Sequence, residues 1–117
     1  MSTFWIAIVV MVLVALVAKV ALAAAGTDAA VAKDKIKQGA TVIDVRTPSE
    51  FKAGHYNGAT NIPLNELQSR IGDLGDKKKA IVVYCASGTR SARAVTILAA
   101  AGFIDVTNAG RLRNLGQ

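Results

Sequence analysis

Ala80-Ile81-Val82-Val83-Tyr84-Cys85-Ala86-Ser87-Gly88-Thr89-Arg90-Ser91 decides how this chain is read. Its first five residues form a continuous apolar run rich in β-branched side chains. A run without polar alternation fits a strand covered on both faces, as in a parallel sheet. Ser91 to Ala101 reads as a helix that Gly102 ends, so a polar turn joins strand to helix. Working outward, Thr41-Val42-Ile43-Asp44-Val45 reads as a second strand, Thr60-Asn61-Ile62 as a short one, and Phe103 to Thr107 as the last. Thr27 is a candidate N-cap for a helix through Gln38, closed by Gly39. Ser49 to Ala53 reads as a helical turn ended by Gly54, and Leu64, Leu67, Ile71 and Leu74 recur at helical spacing. Strands alternating with helices predict an α/β sandwich with a mostly parallel central sheet flanked by helices. In such sheets ligands bind beyond the carboxyl ends of the strands.

Cys85 stands at such an end. A strand that turns directly into a helix points successive backbone N–H groups into the turn, and the helix N-terminus adds partial positive charge. A cysteine there is expected to have a depressed pKa, helped by Arg90 and Arg93, and its thiolate is the reactive form. Gly88 and the small Ala86, Ser87 and Thr89 let the loop curl around the sulfur, while Ser87, Thr89 and Ser91 add hydroxyl donors. A lone cysteine after an apolar strand is otherwise read as a small buried hydrophobe. Here a polar loop, a glycine, two arginines and a helix start follow within eight residues, which favours the reactive reading. Cys85 is the only cysteine and His55 the only histidine, so no internal disulfide and no metal site are expected.

The 117 residues leave room for one small domain, at 26–117, behind an apolar segment at 1–25. From Phe4 to Ala25 the one charge is Lys19. As a helix that stretch would be roughly 33 Å long, enough to cross a hydrocarbon core. Trp5 sits where an interfacial aromatic belongs. A transmembrane anchor through residues 4–25 is therefore expected, with the lipid bilayer as a partner. The alternative is a secretory signal cleaved near Ala21-Leu22-Ala23, although Met1-Ser2-Thr3 lacks the usual basic residues. The flanking Lys19, Lys33, Lys35 and Lys37 all follow the span, which predicts a cytoplasmic domain; cleavage would instead make it periplasmic. The net charge of +6 raises nucleic-acid binding, but the basic residues are scattered and lack interleaved aromatics, so no nucleic-acid partner is expected.

The loop at Cys85 resembles the active-site loop of rhodanese-like domains. Val42-Ile43-Asp44-Val45-Arg46, Glu50-Phe51, Gly54-His55, Gly58-Ala59 and Asn61-Ile62-Pro63 resemble that family's other signature. The likeness covers residues 28 to 110 or so and is closest to small members of the phage-shock protein E type, a lone domain behind an apolar segment. The chain departs from the pattern at Tyr56-Asn57, where Ile-Pro is frequent, and at Ala109-Gly110, where Gly-Gly and a later Trp are frequent. The resemblance implies a rhodanese-like fold and a thiosulfate sulfurtransferase working without a cofactor. It implies a persulfide on Cys85, loaded from a small-molecule donor such as thiosulfate and passed to an acceptor such as cyanide or a thiol. The amides of Ala86 through Ser91 would stabilise its charge, and Arg90 would hold the donor's oxygens.

Asp44, Arg46 and Glu50 are expected to form a supporting ion-pair and hydrogen-bond network beside the site, with Arg93 also supporting, and His55 to bond backbone rather than act as a base. Two alternatives stay open. A cysteine phosphatase uses the same chemistry, but its Cys-x5-Arg signature needs one more residue than separates Cys85 from Arg90. A non-catalytic binding module would have no need of a thiol in a nest of amides.

Overall fold

The structure, a computed structural model, describes residues 3–12 and 27–116. Four parallel strands form one sheet in the order β2-β1-β3-β4, where β1 is Thr41–Asp44, β2 Thr60–Asn61, β3 Ile81–Cys85 and β4 Val106–Arg111. The central β3 is buried along its whole length, as its unbroken apolar sequence requires. Its alternate residues feed two cores. Ile81, Val83 and Cys85 join Leu67, Ala94, Val95, Leu98 and Phe103 on one face. Val82 and Tyr84 join Ala32, Val42, Ala109 and Leu115 on the other.

Besides the helical residues 3–12, the helices are α1 at Ala29–Lys37, α2 at Pro48–Ala53, α3 at Leu64–Leu67 and α4 at Thr89–Ala100, with 3-10 segments at Gln68–Leu74 and Leu112–Leu115. α3 and α4 cover the first face; α1 and the last 3-10 segment cover the second. The α/β sandwich with a parallel sheet is therefore present, with several boundaries corrected.

The last strand lies at Val106–Arg111 rather than Phe103 to Thr107. α4 ends in a Schellman closure: Phe103 N–H reaches the Leu98 carbonyl at 3.1 Å and Gly102 N–H that of Ala99 at 3.0 Å. Phe103 is thereby spent as the hydrophobic contact of the cap, and pairing with Ile81 starts at Val106. At the other end α4 starts at Thr89, not Ser91, because Gly88 makes the turn alone. The cap of α1 is Asp28, which accepts from Val31 N–H at 3.0 Å; Thr27 instead makes a parallel bridge to Asn108. The helix expected from Leu64 to Leu74 tightens to 3-10 after Leu67. Ser69 Oγ donates to its own i−3 carbonyl, at Glu66 and 2.9 Å, and Gly72 weakens the α form.

Of the expected transmembrane segment, residues 13–25 lie outside the described residues. Residues 3–12 are helical and exposed. Among the described residues no helix is long and apolar enough to cross a membrane.

Candidate active site

β3 delivers Cys85 to the carboxyl edge of the sheet, and the turn Ala86–Gly88 passes at once into α4. Gly88 holds a left-handed backbone, φ 95°, which an L side chain rarely adopts. That conformation aims its N–H at the Cys85 sulfur, 2.9 Å away. Ser91 N–H, in the first turn of α4, also donates to Sγ at 3.4 Å, and Ser91 Oγ stands 3.4 Å from it. The sulfur is buried, yet several donors converge on it. Burial pushes the thiol up, but the Ser91 hydroxyl and the N–H groups of Ser91, Gly88 and Ser87 outweigh it, so the thiol lies below its ordinary pKa.

The expected network around Asp44, Arg46 and Glu50 divides into two pairs. Asp44 is fully buried at the end of β1 and accepts from Arg46 N–H at 2.9 Å, Nε at 3.0 Å and Nη2 at 2.7 Å. Arg46 Nη2 also donates to the Gly54 carbonyl, and the guanidinium lies over the Tyr84 ring, 5.6 Å from its centroid. This pair ties the β1 edge to the end of α2. Glu50 takes a different partner: Arg90 meets it as a fork, Nη1 to Oε1 at 2.7 Å and Nη2 to Oε2 at 3.0 Å. The Arg90 guanidinium holds the Glu50 carboxyl at about 2, helped by Thr47 N–H. Two of the five N–H groups of Arg90 are thus engaged, and among the described residues the other three have no hydrogen-bond acceptor.

Thr47 went unremarked in the sequence, although Thr47-Pro48-Ser49-Glu50 is a capping-box pattern that could have found it. Its hydroxyl accepts from Glu50 N–H at 3.3 Å, while Glu50 Oε1 accepts from Thr47 N–H at 3.1 Å. Glu50 therefore caps α2 and clamps Arg90 with one carboxylate. The other expected residues fall variously. Ser91 faces the sulfur; Ala86, Ser87 and Thr89 are exposed, and Ser87 Oγ donates to Thr89 Oγ1 at 3.4 Å rather than to Cys85. Arg93 lines a cavity with Leu64, Thr96 and Ile97, on the α3–α4 flank and not in the loop. His55 meets the Phe51 carbonyl at 2.8 Å and stacks on the Phe51 ring, as a structural histidine would. A buried sulfur approached by several donors beneath an exposed loop can carry negative charge on an atom bonded to it.

Comparison with known proteins agrees with this arrangement. The rhodanese-like domain family matches the chain over residues 28–110. Thiosulfate sulfurtransferase PspE of Escherichia coli K12 is 42% identical over 76 residues, which span 64% of this chain and 73% of that protein. Thiosulfate sulfurtransferase 18 of Arabidopsis thaliana is 38% identical over 96 residues, spanning 71% of each. Among solved structures, a rhodanese with anions from E. coli superposes with a TM-score of 0.64 at 39% identity, covering 68% of this chain and 94% of that one.

Proposed function

The chain belongs to the rhodanese-like family, and from that premise we propose that it is a thiosulfate sulfurtransferase carrying sulfane sulfur as a persulfide on Cys85. Relatives named as thiosulfate sulfurtransferases support sulfurtransferase activity in general. The donor, the acceptor and the residue roles are our reading. The observation that carries it is the Cys85 sulfur, buried at a strand end with Gly88 N–H at 2.9 Å and Ser91 N–H and Oγ each at 3.4 Å.

In the first step the Cys85 thiolate attacks the outer sulfur of thiosulfate. An S–S bond forms to Sγ, the bond between the two thiosulfate sulfurs breaks, and its electron pair leaves with sulfite. Charge is conserved: a thiolate and a dianion become a persulfide anion and sulfite. The lowered thiol pKa favours the thiolate, the nucleophilic form. The amides from Ala86 to Ser91 stabilise the outer sulfur, as oxyanion-hole donors stabilise oxygen. Arg90, held by Glu50, offers its free N–H groups to the sulfonate oxygens. In the second step cyanide or a thiol attacks the outer sulfur, and Cys85 thiolate leaves into the same donors. The site calls on no cofactor for either step. The purified protein should release sulfite from thiosulfate and form thiocyanate when cyanide is supplied, and the Cys85→Ser variant should do neither. Turnover retained in that variant would overturn the reading.

We also propose that residues 4–25 hold the chain at a bilayer with the domain on the cytoplasmic side. The support is the apolar composition of that run and the position of Lys19, Lys33, Lys35 and Lys37 after it. Full-length protein should remain in the membrane fraction at its uncleaved mass. A shortened form recovered from the periplasm would contradict the proposal.

A further inference from the structure

β4 carries an irregularity that the reaction above leaves unused. Val83 pairs with Asn108, but the next pairs are Tyr84 with Gly110 and Cys85 with Arg111, so Ala109 is an extra residue. This is a β-bulge, which re-aims the end of a strand. Asn108 stabilises it: Oδ1 accepts from Gly110 N–H at 2.8 Å, the local turn by which asparagine draws backbone out of a ladder. Gly110 holds φ 80°, and a Cβ there would stand 2.7 Å from Thr27 Cγ2, so only glycine fits. The bulge backs the catalytic turn. A Cβ on Gly88 would stand 3.6 Å from the Gly110 Cα, and Gly88 N–H is the shortest donor to the Cys85 sulfur.

Asn108 is itself 1% exposed, and its Nδ2 has no acceptor among the described residues. Turning the amide over would set Nδ2 against Gly110 N–H, two donors face to face, so the orientation is fixed. A buried donor left unpaired destabilises a fold, and an apolar side chain would carry no such penalty. What asparagine supplies at this position is the acceptor Oδ1.

We propose that Asn108 is a positioning residue for sulfur transfer: by latching the β4 bulge through Gly110, it sets the strand end against which Gly88 turns toward Cys85. The inference rests on the sulfurtransferase reading and deepens it. One route of action runs from Gly110 to Gly88 by direct packing. The other runs through the ladder. Without the bulge Tyr84 would pair with Ala109 and Cys85 with Gly110, a slip of one residue at the end of β4 relative to the catalytic turn. Cys85 itself would stay in place, because β1 holds the other side of β3 from Ile81 to Tyr84. The loss therefore falls on the aim of the Gly88 donor. The sulfur becomes a poorer nucleophile in the first step and a poorer leaving group in the second, while Arg90 keeps its hold on Glu50.

The test compares Asn108→Thr with Asn108→Val in the full-length protein. The two side chains have nearly the same shape, and both discard the amide, so the stability changes they share cancel. A threonine hydroxyl can accept from a backbone N–H two residues on, more weakly than asparagine, and valine cannot. Each variant is assayed without denaturant for the pH dependence of Cys85 alkylation by iodoacetamide and for sulfite release from thiosulfate. In Asn108→Val the alkylation profile should move up toward that of an ordinary thiol, and kcat should fall about tenfold below that of Asn108→Thr, the scale of one lost hydrogen bond. KM for thiosulfate should stay within about twofold, and Asn108→Thr should lie between valine and wild type. Equal profiles and equal kcat in the two variants, or a wild-type profile in Asn108→Val, would overturn the latch. If Asn108→Val does not fold, amide exchange decides. Gly110 N–H should be protected in wild type and less so in Asn108→Thr, with a matching partial rise of the alkylation profile. Free exchange of that amide in wild type would overturn the proposal. Wild-type protein that releases no sulfite would strike at the sulfurtransferase reading, and the role in transfer would fall with it; an alkylation difference between the variants would still uphold the latch.

Discussion

Replacing Gly88 by alanine should damage both the fold and the thiol, and asparagine at the same position should damage both less. The structure separates the possible causes. A Cβ at Gly88 would meet only the Gly110 Cα at 3.6 Å, an ordinary contact, so crowding contributes little. The cost is conformational: at φ 95° an L residue is disfavoured by about 1–2 kcal/mol, and asparagine tolerates the left-handed region better than alanine does. Urea unfolding of Gly88→Ala should show a loss of that size. If the chain relaxes toward negative φ instead, Gly88 N–H turns away from Cys85 and the sulfur loses its shortest donor, now at 2.9 Å. The thiol pKa then rises toward its ordinary value, which the pH dependence of iodoacetamide alkylation would record. Sulfite release should fall about tenfold to a hundredfold, the range for losing one hydrogen bond to a charged group. Gly88→Ala with unchanged stability and an unchanged alkylation profile, or Gly88→Asn no better than Gly88→Ala, would refute the argument that this glycine sets the donor geometry.

Three further outcomes follow from the ion pairs. Arg90→Ala should raise KM for thiosulfate more than it lowers kcat, and Arg90→Lys should recover only part because it lacks the fork; an unchanged KM would assign donor binding to the loop amides. Glu50→Gln should also raise that KM and cost about 0.5–1 kcal/mol, since the pair is about a third exposed and solvent screens it. The Glu50 carboxyl is held at about 2, so its contribution is complete above the ordinary carboxylate range and lost as pH falls toward 2. The stability gap between wild type and Glu50→Gln, read by urea unfolding, should therefore close in acid; a gap that widens there would contradict the pairing. Asp44→Asn should cost about 3 kcal/mol or more by the same measurement, because it strands the Arg46 guanidinium in a buried pair; a near-neutral change would show that Arg46 finds another partner.

What the sequence made legible was whatever repeats locally or carries punctuation. The apolar run of β3, the Gly88 turn and Cys85 at the strand end could be read residue by residue, because burial on both faces and a strand-to-helix turn leave plain patterns. The partners of charged groups could not. Asp44, Arg46 and Glu50 stood together in the sequence and were expected to form one network, yet Glu50 reaches Arg90, 40 residues away, through a contact only the sheet order creates. Phe103 looked like a strand residue by composition and is a helix-capping residue by hydrogen bonding, since its amide is taken by Leu98. Arg111 and Arg113 gave no signal at all. The β3–β4 register pairs Arg111 with Cys85, and register is a tertiary property.

The central claim is that sulfur travels on Cys85, and mass spectrometry of the thiosulfate-treated full-length chain tests it most directly. The account predicts a gain of one sulfur atom, located on the peptide that contains Cys85, with one sulfite released per protein and the gain erased when an acceptor thiol is added. Sulfite release without sulfur on Cys85, or the same gain in Cys85→Ser, would contradict it.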